Sequence, residues 1–476
     1  MLDPLGNGVF AVSGLELPDL SGAPLLLPGR TDPAANVLRH ALTKGNSNGF
    51  KGVAYDNRDG DHSRLSPKSY PALARLKYGD GVDRSNIGLG GRFRFPAVVI
   101  GNSSTAITGG PRRRSLPRLA MTQSNLARQS YALYINNHLY LYPEHRDHDA
   151  IDLYPANWPF MVISQGSSGS DKAFLHTFAM TIAALPEDTM QFLRSNGLVA
   201  PTLQMILRRN LLGVDRDAEY YGAEAHPTVF DPADLRPERM IGQAAALTPE
   251  AVSPMVRLSV TTNDFQNKAG LFEQSEVLFE TPAALAYLWR GFEGRKRLTV
   301  SAGGTRDPLG RGVRFRWVLL RGDKSKVQIE PSDDTTSAEI VVDWHDSFTV
   351  PGPEGPMKTS RVDIGVFTNS GPQPSAPSMI SISFPTHQKR TYEDGHDGEP
   401  VLLTVDYDAV ARQAAYDPAL YWTADWTDSA VRDDQGSIVA WDRYDGASTH
   451  RIPADGTMYR IEGEAGALPT LFEVDR

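Results

Sequence analysis

The chain has 476 residues, and its 48 Lys and Arg against 57 Asp and Glu leave a formal net charge of −9, opposite in sign to a protein that neutralises phosphates. It contains no cysteine, which excludes disulfide frameworks, thiolate-ligated zinc, iron–sulfur clusters and thiol catalysis together. A length that suits about two to four domains, with 42 Gly and 34 Pro, favours a loop-rich multidomain architecture containing β-structure over a helical bundle.

Residues 1–50 are rich in Pro, Gly and Asn, with short apolar pieces at Leu25–Leu27 and Val37–Leu42, and read as an extended lead-in. The N-terminus has no basic segment followed by a long apolar one, so no signal peptide is visible. No apolar run approaches the ~20 residues that would span a bilayer as a helix.

From 51 to 255 the texture is mixed α/β. Ala97–Ile100, Tyr131–Tyr142 and Phe160–Ile163 are strand-like, and Asn136-Asn137 predicts a hairpin turn inside the second run. Lys172–Leu185 predicts a helix, because Phe174, Phe178 and Ile182 recur on one face. Glu187–Asn196 predicts a second, with acids at its start and Gly197 beyond its end; Pro201 opens a third, Thr202–Leu212. Strand, small-residue turn and helix in succession is the grammar of an α/β domain.

Beyond residue 256 the pattern turns to β. Arg257–Thr261, Arg297–Ala302, Val313–Leu320, Lys326–Ile329, Ser337–Val342, Arg361–Phe367 and Ser378–Phe384 are short β-branched or aromatic runs set between turn residues, which predicts a β-sandwich over 256–386. Thr281–Trp289 reads as an interrupting helix. His387–Pro400 is charged and Gly-rich and reads as a linker. In 401–476, Gly436, Gly446 and Gly456 follow Asp-containing turns around the runs Ser437–Trp441 and Met458–Ile461, which predicts a small β-meander.

Three constellations within 51–255 carry residue types able to do chemistry. The first is Asp56-Asn57-Arg58-Asp59-Gly60-Asp61-His62, where Asp59, Asp61 and His62 put carboxylates beside an imidazole. An EF-hand is excluded, because no acid follows at the required spacing; an Asp/Gly turn explains the same residues. The second is Glu144-His145-Arg146-Asp147-His148-Asp149. His145 and His148 are spaced to share one metal if the segment is helical, and a charged surface turn is the alternative. The third is Gly166-Ser167-Ser168-Gly169-Ser170-Asp171, between a strand and a helix. That geometry can expose Ser168 as a nucleophile, hold an anionic or substrate group through Gly166, Ser167, Ser170 and Asp171, or simply cap the helix. His226, before Pro227, is the candidate base for the serine, and Arg113 within Arg112-Arg113-Arg114 is a candidate for substrate carboxylate or sulfate.

The segment Val300-Ser-Ala-Gly-Gly-Thr-Arg-Asp307-Pro308-Leu-Gly310, followed by Val313-Arg-Phe315-Arg-Trp317, resembles the polycystic-kidney-disease (PKD-like) immunoglobulin-type module. It departs from that pattern at Leu309 and after Trp317. The resemblance implies an immunoglobulin-type sandwich, export, and a spacer or substrate-presenting role.

These readings converge on a secreted or periplasmic hydrolase with an N-terminal α/β catalytic domain, a central PKD-like β-sandwich and a small C-terminal meander. Its expected substrate is an extracellular polysaccharide, attacked by a clustered Asp/His acid–base site with or without a divalent metal. The alternatives are an esterase-type serine hydrolase using the Gly166–Ser170 turn and a non-catalytic glycan-binding surface protein. No nucleic-acid partner and no integral membrane segment are expected.

Overall fold

In the computed structural model the described residues are 1–6, 9–58, 63–78, 93–103, 106–107, 114–144, 152–270, 274–352, 355–395, 398–407 and 425–454. The first unit is built on a five-stranded sheet in the order Ala74–Arg75, Val53–Asn57, Val98–Asn102, His138–Glu144, Met161–Gln165, with every neighbouring pair parallel. Numbered along the chain, this is the order 2-1-3-4-5 of a doubly wound sheet. Strands buried on both faces carry continuous apolar runs, here Val-Val-Ile, Leu-Tyr-Leu-Tyr and Met-Val-Ile.

The helices follow their sequence signals. Lys172–Ala184 buries Phe174, Phe178 and Ile182, and Glu187–Ser195 ends before Gly197, whose φ of 66° suits the left-handed position past a helix. The third helix is Val199–Arg209, beginning ahead of the expected Thr202 because Pro201 is tolerated within a first turn, where no intrahelical N–H is needed. The lead-in is not merely extended. Asp32 caps a helix Pro33–Thr43 by accepting from Ala35 N at 3.1 Å, and this helix packs on Lys172–Ala184 and Pro237–Ala245. Asp followed by Pro is a helix-start signal that the Pro/Gly-rich surroundings obscure.

The expected hairpin at Asn136-Asn137 is replaced by a helix, Ser124–Tyr134, followed by the strand His138–Glu144. Asn137 adopts φ 63° between them, donates to Arg194 O at 3.0 Å and accepts from Val199 N at 3.1 Å. A short apolar run such as Ala-Leu-Tyr fits either period, and only the preceding turn of helix, with Ala127 and Ser130 buried, resolves it.

The second unit is a sandwich of a four-stranded sheet (Ser259–Asn263, Arg295–Ser301, Ser337–Asp343, Val327–Pro331) and a five-stranded one (Val277–Thr281, Ala284–Leu288, Ser378–Ser383, Arg361–Thr368, Phe315–Arg321). All seven sequence-predicted β-runs lie within it or overlap its strands. Thr281–Trp289 is not a helix: it supplies the end of one strand and the whole of the next, Ala284–Leu288, which is buried along its length. The two sheets share a core that includes Tyr287, Trp289, Val300, Ile340, Val366 and Ile380. Asp307 holds the turn that ends at Gly310, accepting from Leu309 N at 2.7 Å and Arg311 Nη2 at 2.8 Å.

The third unit is an antiparallel meander in chain order, Gln388–Asp394, Pro400–Tyr407, Trp426–Arg432, Ile438–Tyr444 and Thr449–Pro453. The expected linker 387–400 is therefore largely its first strand and turn, closed by Arg390 stacking over Trp344 at 3.8 Å. The predicted run Met458–Ile461 lies outside the described residues.

No linker separates the first two units. The outer face of the five-stranded sandwich sheet supplies Phe279, Ala284, Ala286, Phe367 and Met379 to the same apolar core as the parallel sheet. A buried ionic seam reinforces this junction: Asp152 pairs with Arg321 at 2.5 Å and Arg361 at 2.9 Å, and Arg361 pairs with Asp363 at 2.9 Å. No described helix is long and apolar enough to cross a membrane.

Candidate functional site

In a parallel sheet every strand runs the same way, so the loops that follow the strands gather at one rim. Ligands of doubly wound folds bind there, at the crevice where the strand order reverses. Here the reversal falls between Val53–Asn57 and Val98–Asn102. Each of the three constellations follows one strand of this sheet in the chain: Asp59–His62 follows Val53–Asn57, His145–Asp149 follows His138–Glu144, and Gly166–Asp171 follows Met161–Gln165, while Arg112–Arg114 comes ten residues after Val98–Asn102, beyond the short strand Ala106–Ile107. Asp59, Asp61, His62, Arg113, His145 and His148 themselves lie outside the described residues.

The described floor of this rim is a polar network. Asp56, fully buried, pairs with Arg58 Nη2 at 2.8 Å and accepts from Tyr140 Oη at 2.7 Å and Tyr78 Oη at 2.9 Å. Arg58 also lies over the Tyr140 ring at 4.8 Å. Gly101 makes this possible: a Cβ there would come within 2.2 Å of the Tyr140 ring. Burial pushes the Tyr140 hydroxyl well above its usual pKa, and Arg58 opposes that only in part, so it stays a donor. The carboxylate charge is thus spent on an internal cation, and Asp56 acts as an anchor at the end of its strand.

A second network ties Ser63 to the serine-rich turn. Tyr55 Oη donates to Asn102 Oδ1 at 2.6 Å, Asn102 Nδ2 donates to Ser63 O at 2.6 Å, and Ser63 Oγ donates to Asp171 Oδ1 at 2.5 Å. The residue immediately after His62 is therefore bonded to the residue that opens the Lys172 helix. Gly166 and Gly169 take φ values of 113° and 96°, which an L-side chain rarely adopts, and bend the chain between strand and helix. Ser167 is exposed and Ser168 half-buried at the outside of this bend, while Ser170 Oγ turns inward to Ser164 Oγ at 2.8 Å.

Several candidates have other work. Glu144 is 1% exposed, paired with Arg118 at 2.7 Å and hydrogen-bonded by Tyr154, so it is a locked internal carboxylate and not an accessible acid or base. Asp171 is fully buried and holds Ser63, which corrects its reading as a substrate contact; its side chain makes no capping bond either. Ser170, turned to Ser164, likewise serves the bend. His226 is not a base for Ser168. Its Nε2 donates to Tyr220 O, its Nδ1 faces Arg208 Nη1 at 3.4 Å, and the ring packs 5.1 Å from Phe367. Burial and the neighbouring Arg208 hold its pKa well below that of a free imidazole.

Sequence reasoning missed Arg58, Asn102, Arg118 and Tyr140 as the groups that position this rim. The signal for Arg58 was present, since Asp-x-Arg at a strand end places both side chains on one face; the other partners come from distant strands. Among the described residues no group of three His, Asp or Glu side chains is placed to hold a metal ion.

No protein-family model matches the chain, and no curated protein matches it. Among solved structures it is similar to a nucleoside hydrolase-related hypothetical protein from Saccharophagus degradans that is associated with carbohydrate metabolism. The identity is 11%, with 75% of this chain and 88% of that chain covered and a TM-score of 0.23.

Proposed function

We propose that this protein is a hydrolase acting on a carbohydrate polymer, with water activated by acid–imidazole pairs at the carboxyl rim of the parallel sheet. The observation that carries this reading is that the strands preceding Asp59–His62, His145–His148 and Gly166–Asp171 all end at that rim, the first of them flanking the strand-order reversal. Histidine titrates near neutrality and an adjacent carboxylate tunes it, which is what a proton-moving site requires. The buried Asp56–Arg58 and Glu144–Arg118 pairs hold the ends of two of these strands in place. The serine-nucleophile route is disfavoured because His226 is committed to Tyr220 and Arg208. The sandwich, read as a PKD-like module, would present an extracellular chain to this rim.

The test is release of soluble sugar from a panel of polysaccharides, with simple esters alongside. The expected result is glycosidic cleavage that falls about 100-fold or more in Asp61→Asn, His62→Ala or His148→Ala while thermal unfolding is unchanged. Cleavage indifferent to all three substitutions, or ester hydrolysis with fluorophosphonate labelling of Ser168, would overturn it. Elemental analysis of the purified protein for zinc, calcium and manganese decides between metal-assisted and metal-free water activation.

A further inference from the structure

The chain has no cysteine, yet its second unit is a two-sheet sandwich, an architecture that antibody domains lock with an inter-sheet disulfide packed against a buried Trp. Trp289 lies in the core of this sandwich, and beside it sits a buried amine–carboxyl pair. Lys296 comes from the strand Arg295–Ser301 of the four-stranded sheet. Glu276 directly precedes Val277–Thr281 of the five-stranded sheet, so the pair reaches from one sheet to the other. Both side chains are fully buried, with Lys296 Nζ 2.9 Å from Glu276 Oε2. Nζ lies over the Phe265 ring at 5.2 Å and the Trp289 ring at 5.6 Å. An ion pair taken out of water carries a desolvation cost that an amide, which has no charge, does not.

The surroundings supply what condensation of that amine with that carboxyl requires. Glu276 Oε1 accepts from Arg290 N at 2.7 Å and Gly291 N at 2.8 Å, two backbone N–H groups on one oxygen, as in an oxyanion hole. Oε2 accepts from Gln266 N at 2.9 Å and faces the lysine. A second carboxylate, Glu293, has its Oε2 3.3 Å from Nζ, and its side chain is 46% exposed, so it links the amine to solvent. Gly291 permits that approach, because a Cβ there would collide with Glu293 Oε2. The aromatic rings around Nζ keep out the bulk water that would hydrolyse the product.

We propose that Lys296 and Glu276 join in an isopeptide bond that crosslinks the two sheets of the sandwich. Lys296 first passes a proton to Glu276 Oε2. The free amine attacks Cδ, the C–N bond forms, and the negative charge moves to Oε1 between the two backbone N–H groups. Glu293 takes the surplus proton from Nζ and returns it to Oε2, which leaves as water while the carbonyl re-forms. One amine and one carboxyl become one amide and one water, and no oxidant or other reagent enters. The bond staples a thiol-free sandwich covalently and is independent of the chemistry at the rim of the first unit.

The experiment is intact-mass spectrometry of the purified full-length protein, followed by tryptic mapping after denaturation. The expected mass is that of the sequence less one water. Trypsin is expected to leave the Lys296–Arg297 bond uncut and to release peptide 269–290 carrying that dipeptide as a branch. Lys296→Met is expected to show its full sequence mass and a lower melting temperature. Glu293→Gln, which alters a half-exposed side chain, is expected to slow bond formation about 100-fold, so that unreacted chain appears in freshly made protein. A native sequence at its full mass, or a water loss that maps elsewhere or persists in Lys296→Met, overturns the proposal. Conversion as complete in fresh Glu293→Gln as in the native sequence overturns the part given to Glu293.

Discussion

His138, His176 and His226 are neutral passengers of the first unit's core, and they set how the protein responds to acid. Burial pushes both His138 and His176 down to about 4, and His226 falls well below the ordinary imidazole value through burial and Arg208. Unfolding returns each to about 6.5. Between those values the unfolded chain binds more protons than the folded one, so stability is fully present above about pH 6.5 and declines as pH falls toward about 4. The melting temperature is therefore expected to drop through that window, and His138→Gln, which keeps a donor for Phe95 O, is expected to flatten part of the slope. A melting temperature independent of pH between 6.5 and 4 would contradict this placement. Such residues also show why site reading from composition fails at this scale. His226 and Glu144 have the right side chains for catalysis, but the groups that occupy them, Tyr220, Arg208, Arg118 and Tyr154, approach from other parts of the chain.

Among the elements, legibility depended on whether a local signal marked the period or the ends. Lys172–Ala184 could be read because its packing repeats with the helical period and Pro186 closes it. Ala284–Leu288 could not, since a strand covered on both faces by core loses the alternation that distinguishes it from a helix. Asn137 shows the same limit in a single turn. Its left-handed backbone ends the Ser124–Tyr134 helix, and its side chain bonds the end of one helix and the start of another. Asn137→Ala forfeits both bonds and strains the backbone, at an expected cost of about 1–3 kcal/mol by urea unfolding. Asn137→Gly is expected to recover the backbone part only; equal stability of Ala and Gly variants would show that the backbone conformation contributes nothing.

The whole molecule is held by one sheet that serves two cores. The five-stranded sandwich sheet faces its own partner sheet on one side and the parallel-sheet unit on the other, with the Asp152–Arg361–Asp363 seam set into the junction. Burial pushes the Asp152 carboxyl upward, but Arg361 and Arg321 outweigh it and hold the group below its usual range. Arg361→Met removes one of the two cations that Asp152 and Asp363 share, leaving both buried carboxylates to Arg321 alone, so a loss of about 3–5 kcal/mol is expected in chemical denaturation. A change under about 1 kcal/mol would mean that water reaches this seam and screens it. Residues 1–255 produced alone are expected to bind a hydrophobic dye and aggregate, since Trp158 loses Phe279 and Tyr220 loses Phe367; a soluble, cooperatively melting fragment would refute the shared core.

What the chain could disclose on its own was local: the charge balance, the absence of thiols, the amphipathic helices, the β-rich second half, and the acid–imidazole and serine-rich segments, because each depends on neighbours a few residues away. The order 2-1-3-4-5, the gathering of those segments' parent strands at one rim, and the commitment of Glu144, Asp171 and His226 to internal partners were decided only by folding. The reason is physical. Parallel strands pair across crossovers of many residues, and burial is a property of what the rest of the chain places around a side chain.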